Sequence, residues 1–338
     1  MMRPSLWNRR IAAGVAAGML GLVTAACSSS SSTGSSTGSQ NNSSSSATTT
    51  VTVGVLPVAD VAPLYLGIKQ GFFAAQHLNV VPHPLQGGAA VVSAVLGGSL
   101  QFGFGATANL VLANSHGLPV QFVANGDEAA SGPGAAWSGI LVRAGSGITS
   151  ISQLSGKTVA ANAMQGENQL ALDGILLRNG VSPSSVRVVA LPFPTMPSSL
   201  ASGEVQAVTE VEPFVSAIKA KDGAVLSPLF EGEAPSMTVA GYFADNNLLQ
   251  GDPALVKRFV TAINESLDYA QAHPAAVRAI IPTYTTISSA VAAKMSLPVW
   301  GSALGTASIQ SQQQLMRQLG WIKAVIPVSQ LVWSGAKQ

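Results

Sequence analysis

Residues 51–73 read VTVGVLPVADVAPLYLGIKQGFF and predict a strand, a loop and a helix in immediate succession. Three alternating valines at the start of this segment are typical of a β-strand that ends before Pro57. Beyond it, Asp60 can cap a helix, Pro63 fits a first helical turn, and leucines and an isoleucine supply an apolar face. The loop therefore lies at the carboxyl end of a strand, where open α/β sheets bind ligands in a crevice lined by backbone amides.

The same succession returns further along the chain. Residues 157–180, KTVAANAMQGENQLALDGILLRNG, again supply a strand, a loop and a helix. The segment GSLQ at residues 98–101 also has a counterpart, GEVQ, at residues 203–206. Corresponding elements stay roughly 105 positions apart, and this nearly constant offset predicts two similar α/β lobes rather than one long sheet.

The composition predicts a globular protein with a large core and no nucleic-acid partner. The 338 residues are 47% apolar, which is enough for two domains with buried cores. Only 9% are charged and the formal net charge is +2, with no Lys/Arg stripe or basic helix of the kind that binds nucleic acid. The single cysteine excludes internal disulfides and any multi-cysteine metal or iron–sulfur site.

The N-terminal residues carry the parts of an export signal. Basic residues precede a short, Ala/Gly-rich apolar run at residues 11–23, which is too short for a comfortable membrane span. The following TAAC, residues 24–27, resembles a bacterial lipobox, which implies a signal peptide at residues 1–26 and a lipid on Cys27. A plain signal peptide with a chance cysteine is the alternative. Residues 27–50 then form an uncharged Ser/Thr-rich tether, so we expect an exported protein anchored by lipid to the outer face of the cell membrane or on its periplasmic side.

Two glycine-containing motifs fall short of nucleotide sites. SGKT at residues 155–158 lacks the first glycine of a P-loop and opens a strand instead of a helix. GFGATA at residues 103–108 fits a looser dinucleotide fingerprint but does not lie in the first βα unit. Its small residues still let the backbone approach a ligand, and amides at the start of the next helix, residues 109–114, can donate to an anion or a carbonyl.

Catalytic and metal-binding patterns are missing from the sequence. The four histidines have no metal-ligand spacing, and no Gly-x-Ser-x-Gly elbow is present. Glu210 and Glu212 lie two apart on a probable strand, which puts both on one face. This spacing has three interpretations: the two residues form an acid/base pair, one of them faces a ligand, or both are exposed to solvent. We expect no metal, no cofactor and no catalytic residue.

Several segments, in order, resemble one family of binding proteins. They are residues 51–73, LQGGAA, FGFGATANL, ISQLSGKTVAAN, LPFPTMPSSLASGEVQA, VEPF and YAQAHP. Together they resemble the substrate-binding proteins of ATP-driven (ABC) importers for aliphatic sulfonates, taurine and nitrate, a family that also includes binders of thiamine-pyrimidine precursors. One departure is Gln101, where the family usually has an aspartate.

The resemblance implies a fold and a division into lobes. The fold is α/β and periplasmic-binding-protein-like of type II, with two α/β lobes joined by a two-segment hinge and the ligand cleft between them. Lobe 1 is expected at residues 51–142 plus 238–338, and lobe 2 at residues 143–237. A ligand that contacts both lobes would favour closure of the hinge.

The resemblance also places the ligand contacts on loops that follow strands. The expected contacts are Pro57, Asp60, Gln86, Gly87, Gly88, Gly105, Ala106, Thr107, Asn162, Met164, Gln165, Glu210, Glu212 and Tyr242. None of these residues is Arg or Lys, so an anion would have to be held by helix N-termini and by Thr107, Asn162 and Gln165. The carboxylates among them favour a ligand with an amine or several N–H donors over bare nitrate.

Both taurine-like aminosulfonates and aminopyrimidine-like rings meet this requirement. Four aromatic residues can stack on a ring or pack in the core: Tyr65, Trp137, Phe214 and Tyr242.

The sequence therefore predicts a monomeric solute-binding lipoprotein of an ABC importer rather than an enzyme. It would capture a small sulfur- or nitrogen-containing solute, such as an aliphatic sulfonate or a taurine-like molecule, and deliver it to an ABC permease and its ATPase. The alternatives are a binder of an aminopyrimidine-type thiamine precursor and a tethered sensor without transport. Pyrimidine-synthesising enzymes share the fold, but their cysteine-rich motif and cytosolic location do not agree with one exported cysteine.

Overall fold

The computed structural model describes residues 47–130, 136–230 and 237–338. The predicted signal peptide, the predicted lipid site Cys27 and the predicted tether through residue 46 lie outside the described residues. The described residues belong to one compact unit of the chain.

The strands form where β-branched and other apolar residues alternate with small or polar ones. In the first strand the three alternating valines are fully buried, as predicted. The strands of the described residues are β1 Thr49–Val55, β2 Leu78–Pro84, β3 Phe102–Ala106, β4 Val120–Glu128, β5 Ser138–Arg143, β6 Thr158–Ala161, β7 Arg187–Ala190, β8 Ala207–Val211, β9 Gly223–Pro228 and β10 Thr238–Asp245.

These strands form two five-stranded sheets with the same internal arrangement. Sheet 1 has the order β2-β1-β3-β10-β4, and sheet 2 has the order β7-β6-β8-β5-β9. In each sheet the first three strands are parallel, and the fourth is antiparallel to both of its neighbours. The chain crosses between the sheets twice, after β4 and after β9. The predicted α/β fold with two lobes is confirmed: lobe 1 is sheet 1 with its helices, and lobe 2 is sheet 2 with its helices.

Equivalent side chains support the duplication at atomic detail. In sheet 1 the Oε1 atom of Gln101 accepts a hydrogen bond from the Thr52 N–H at 2.8 Å. In sheet 2 the Oε1 atom of Gln206 accepts one from the Thr158 N–H at 3.0 Å. Each glutamine backbone N–H also donates to the carbonyl of the same threonine. Gln101 therefore links the start of β3 to Thr52 of β1, and Gln206 links the start of β8 to Thr158 of β6 in the same way.

Helices cover the sheets and supply most of the remaining core. They are α1 Ala62–Gln70, α2 Phe72–Ala75, α3 Gly88–Leu96, α4 Thr107–Ser115, α5 Glu167–Arg178, α6 Met196–Ser202, α7 Phe214–Lys219, α8 Asn246–Gly251, α9 Pro253–Ala272, α10 Pro274–Ile280, α11 Ser289–Ala292, α12 Thr306–Gln318 and α13 Val328–Leu331. Helices α5, α6 and α7 belong to lobe 2. Across the described ranges, the structure contains no helix that combines the length and apolar character of a membrane span.

The helix starts agree with the sequence in part. Asp252 caps α9 by accepting from the Leu255 N–H at 2.9 Å, as its position predicts. Asp60 does not cap α1, contrary to our prediction. It lies inside a 3₁₀ turn, Ala59–Val61, which runs directly into α1 and leaves Val61 at the cap position. The carboxyl of Asp60 is therefore available for another contact.

The predicted lobe boundary at residues 142/143 falls inside β5. This strand pairs with β8 and β9, which places residues 138–142 in sheet 2. The chain thus leaves sheet 1 before Ser138. A local apolar pattern cannot show this, because it predicts a strand without indicating which sheet the strand joins.

Candidate functional site

The carboxyl ends of the parallel strands in both sheets face one pocket, which we call the cleft. The cleft has an empty volume of about 440 Å³, which includes space open to solvent. Its lining residues come from both lobes: Leu56, Val58, Asp60, Gly88, Phe104, Ala106, Asn109, Asn162, Glu167, Asn168, Phe193, Val211, Phe230, Val239 and Ala240. A solute in this pocket would contact loops after β1, β2 and β3 on one side and loops after β6, β7 and β8 on the other.

Four of the expected contact residues are brought together in the cleft: Asp60, Gly88, Ala106 and Asn162. The others lie outside the lining set: Pro57, Gln86, Gly87, Gly105, Thr107, Met164, Gln165, Glu210, Glu212 and Tyr242. The sequence reasoning missed Asn109, Glu167 and Asn168, although all three stand in the first turn of a helix that follows a strand. That position was the available signal, because it places a side chain beside the crevice.

The lining combines apolar rings with hydrogen-bonding groups. Its polar members are two carboxylates and three amides: Asp60, Glu167, Asn109, Asn162 and Asn168. None of the described lining residues is Lys, Arg or His. The described lining is therefore rich in acceptors, and it contains two acidic side chains but no basic one.

Asp60 is held at the cleft by contacts of its own backbone and of its neighbour. The indole N–H of Trp300 donates to the Asp60 carbonyl at 3.1 Å. The Ala59 N–H donates across the cleft to the Glu212 carbonyl at 2.9 Å. Asp60 is only 6% exposed, and the Oδ1 atom of its carboxyl group has no hydrogen-bond partner in the described part of the chain. Burial raises the pKa of Asp60 to about 7.

Asp127 and Tyr242 form a second layer near Asp60, and both are fully buried. The two carboxylate oxygens of Asp127 and the hydroxyl of Tyr242 have no partner among the described residues. Burial, together with the charges of Asp60, Glu128 and Glu167, raises the pKa of Asp127 well above its ordinary value. Burial and the charge of Asp127 likewise raise the pKa of Tyr242. This layer favours protonated carboxyl groups or donors supplied from outside.

Glu167 connects the two lobes. Its Oε2 atom accepts a hydrogen bond from the Ala108 N–H at 2.8 Å, so the first residue of α5 contacts the first turn of α4. The side chain is 3% exposed. Helix starts leave backbone N–H groups without partners inside the helix, and a carboxylate there is stabilised by the helix dipole.

Some expected ligand contacts hold the scaffold instead. The Thr107 hydroxyl donates to the Thr238 carbonyl at 3.0 Å. The Gln165 N–H donates to Oε1 of Gln169 at 2.7 Å. Of Thr107, Gln165 and Asn162, only Asn162 lines the cleft, and its Oδ1 atom is buried without a hydrogen-bond partner among the described residues.

Thr107→Val is therefore expected to lower the free energy of unfolding by about 1 kcal/mol and to leave ligand affinity unchanged. The loss is modest because Gln312 also donates to the Thr238 carbonyl, at 2.8 Å. Urea unfolding measures the effect, with Thr261→Val on the exposed face of α9 as the control. Unchanged stability combined with weakened binding would instead place the Thr107 hydroxyl on the ligand.

Glu212 and Glu210 have different surroundings. The carboxylate of Glu212 accepts from the Ser216 N–H at 3.1 Å and from its hydroxyl at 2.7 Å, which caps the first turn of α7. Burial raises the pKa of Glu212 to about 6. Glu210 is fully buried, and its carboxylate has no partner in the described ranges. Its neighbour Val211 lines the cleft, so strand alternation turns the Glu210 side chain to the other face of β8.

The aromatic residues expected to stack on a ligand lie one layer behind the lining. Trp137 packs on Phe230 with ring centroids 5.3 Å apart, and Phe214 packs on Phe193 at 6.2 Å. Tyr242 packs on Phe104 at 5.3 Å. The front rings Phe104, Phe193 and Phe230 line the cleft. Tyr65 stacks on Tyr284 at 4.0 Å, away from the lining set.

The described residues contain no group of three or more His, Cys, Asp or Glu side chains arranged to hold a metal ion. The carboxylates at the cleft are instead distributed over both lobes.

Residues 58–277 match the family described as NMT1/THI5 like. No curated protein sequence matches the chain. The structure is similar to that of the alkanesulfonate-binding protein SsuA from Xanthomonas axonopodis pv. citri bound to MOPS, with a TM-score of 0.72 and 17% identity over 84% of this chain and 98% of that one. It is also similar to the periplasmic nitrate-binding protein NrtA from Synechocystis PCC 6803, with a TM-score of 0.69 and 13% identity over 82% and 83% of the two chains.

A desulfurization enzyme, DSZB, has the same fold, with a TM-score of 0.63 and 16% identity over 84% of this chain and 96% of that one. At these identities the solved structures establish the periplasmic-binding-protein fold, and they agree with the two lobes seen here.

Proposed function

We propose that this chain, which belongs to the NMT1/THI5-like family, is the solute-binding component of an ABC importer. It captures a small sulfur- or nitrogen-containing solute between its lobes and delivers it to the permease and its ATPase. Cys27 carries the lipid anchor, and the Ser/Thr-rich tether lets a monomer reach the membrane partner from the outer face. A tethered sensor without transport would use the same cleft.

The carrying observation is that polar groups from both lobes converge on one pocket. Asp60 and Asn109 come from lobe 1, whereas Asn162, Glu167 and Asn168 come from lobe 2. A solute bonded to both sets stabilises the closed arrangement of the lobes by its differential contacts. Closure is the step that a permease partner would recognise.

The lining supports a solute with N–H donors. Asp60 and Asn162 have acceptor atoms that no described residue occupies. A sulfonate group would meet Asp60 and Glu167 without a cationic side chain in the described lining. An aminopyrimidine-type ring fits better, because its amino group can donate to Asp60 while Phe193 and Phe230 contact its faces. In a taurine-like solute, the ammonium group would find carboxylate acceptors in the described lining, whereas the sulfonate group would find no basic side chain there.

We also propose that the bound solute leaves unchanged. The described lining contains no Ser, Thr, Cys, His or Lys that could act as a nucleophile with an adjacent base. The similarity to a desulfurization enzyme extends to the fold alone.

The test is a thermal-shift panel on the full chain at about pH 8, with taurine, methanesulfonate, nitrate and 4-aminopyrimidine. We expect the largest stabilisation with 4-aminopyrimidine, about 2.7 kcal/mol when its concentration is 100 times the Kd. A flat response across the panel would contradict the proposed solute class. Transport into cells that produce the chain with its permease would distinguish an importer component from a sensor.

A further inference from the structure

Glu167 belongs to lobe 2, yet its carboxylate lies at the N-terminus of a helix in lobe 1. Its Oε2 atom accepts from the Ala108 N–H at 2.8 Å, and the contact is buried. Ala108 is the second residue of α4, whose nine residues begin at Thr107. The N–H groups of this turn lack partners inside the helix, so the start of α4 is a position where an anion is stabilised.

Two of the donors at this position are already engaged from within the protein. Glu167 takes the Ala108 N–H, and the hydroxyl of Thr107 donates to the Thr238 carbonyl. A second, independent feature of the same pocket is Asp60, which is more than nine-tenths buried and whose Oδ1 atom has no hydrogen-bond partner among the described residues. When ionised, Asp60 adds negative charge to the pocket that an incoming anion would have to enter.

Glu167 also interacts electrostatically with a second buried acidic residue, Asp127. Asp127 of β4 interacts electrostatically with Asp60 of the 3₁₀ turn, with Glu128 and with Glu167. On its other side Glu167 borders a second cavity of about 380 Å³, against α12. The other polar residues in the described lining of that cavity are Ser308, Ser311 and Gln312. Among the described residues, no Lys or Arg lines either cavity.

We propose that Glu167 is a specificity-determining residue that occupies the anion position at the start of α4 and thereby restricts the cleft to neutral or cationic solutes. The proposal rests on the proposed function, because it assigns the substrate class of that cleft. A sulfonate or nitrate would have to displace a carboxylate that is covalently part of the protein and is therefore present at high effective concentration. A solute with N–H donors leaves the Glu167–Ala108 contact in place.

Two substitutions separate the charge of Glu167 from its hydrogen bond. Glu167→Ala frees the Ala108 N–H, and nitrate and methanesulfonate are then expected to bind at least tenfold more tightly than to wild type. Glu167→Gln keeps an acceptor for Ala108 but removes the charge, and a smaller gain is expected. Glu265→Gln on the exposed face of α9 is the matched control. Isothermal titration of the full chain at about pH 8 measures the affinities.

Hydrogen exchange of the Ala108 amide provides a readout that does not depend on any ligand. We expect slow exchange in wild type and Glu167→Gln, and faster exchange in Glu167→Ala. Glu167→Gln preserves the test if the alanine variant does not fold. The proposal is overturned if wild type binds nitrate or methanesulfonate as tightly as the variants do, or if Ala108 exchange is the same in all of them. Failure of wild type to bind any panel solute, with these variant effects intact, would overturn only the proposed function.

Discussion

Asp60→Asn is expected to stabilise the protein near pH 8 and, in the same variant, to remove its response to a solute with N–H donors. Burial raises the pKa of Asp60 from the ordinary value of 3.8 to about 7. The folded state therefore binds the proton more tightly than the unfolded chain, and wild type loses stability as pH rises from about 4 through about 7. The difference corresponds to roughly 4 kcal/mol once the carboxyl is ionised.

Asparagine does not titrate, so the variant lacks this loss. Its advantage over wild type should be largest near pH 8 and should shrink as pH falls toward 4. The charge of Asp60 also helps to raise the pKa of Asp127, so the substitution is expected to lower that pKa. Urea unfolding at about pH 5 and pH 8 measures the effect, with Asp268→Asn on the exposed face of α9 as the control. Equal pH dependence in wild type and Asp60→Asn would contradict a buried, proton-binding Asp60.

Although Asp60→Asn is expected to increase stability, it is expected to weaken ligand binding. An ionised carboxylate makes a charge-assisted hydrogen bond to an amino group, and its loss is expected to weaken 4-aminopyrimidine binding at least tenfold. The affinity of wild type should rise between about pH 6 and pH 8, whereas that of Asp60→Asn should stay flat. A variant that is more stable but binds less well would identify Asp60 as a residue retained for binding.

Gly103→Val is the second large effect that we expect, a loss of roughly 3 kcal/mol in the free energy of unfolding. A Cβ atom at this position would lie 2.5 Å from Cζ of Phe243 and 2.6 Å from Cγ1 of Val91. Strand β3 lies between β1 and β10, so its backbone cannot move away without breaking the ladder on one side. The cost arises from overpacking a closely packed region.

Urea unfolding of Gly103→Val beside Gly251→Val measures this effect. Gly251 ends α8, where an added Cβ meets no atom within 4 Å in the described structure, so the control should change stability little. Equal stability of the two variants would show that the Phe243 ring can accommodate a side chain at position 103.

The glycines of β3 show how far the sequence could be interpreted. The small residues of GFGATA predicted a close approach of the backbone to a ligand, whereas the group that lies against Gly103 is a side chain of the protein. The approaching group is the Phe243 ring of β10, which the sequence places about 140 positions away and which only the sheet order brings to β3. The pattern therefore did not show which group lies against the backbone at Gly103.

The duplicated architecture was predictable because it depends on local patterns. The strand, loop and helix at residues 51–73 and the GSLQ and GEVQ segments each repeat at a nearly constant spacing. Gln101 and Gln206 then make the same hydrogen bonds in the two sheets. A repeat can be detected within a single sequence because its two halves carry the same pattern at a fixed spacing.

The composition of the cleft was harder to predict because it depends on contacts between lobes. Glu167 appears as an ordinary acidic residue in the first turn of a helix, and its partner Ala108 carries no sequence signal. Glu210 and Val211 differ by one strand position, which decides which of them lines the cleft. Phe193 and Phe230 follow strands of lobe 2, and their place in front of Phe214 and Trp137 depends on packing.

Hydrogen exchange of the full chain near pH 8, with and without 4-aminopyrimidine, tests most directly whether a solute is held between the lobes. We expect slower exchange at residues 56–60 and 104–109 of lobe 1 and, together with them, at residues 162–168 of lobe 2. Slower exchange confined to one lobe, or no change at either set, would contradict it.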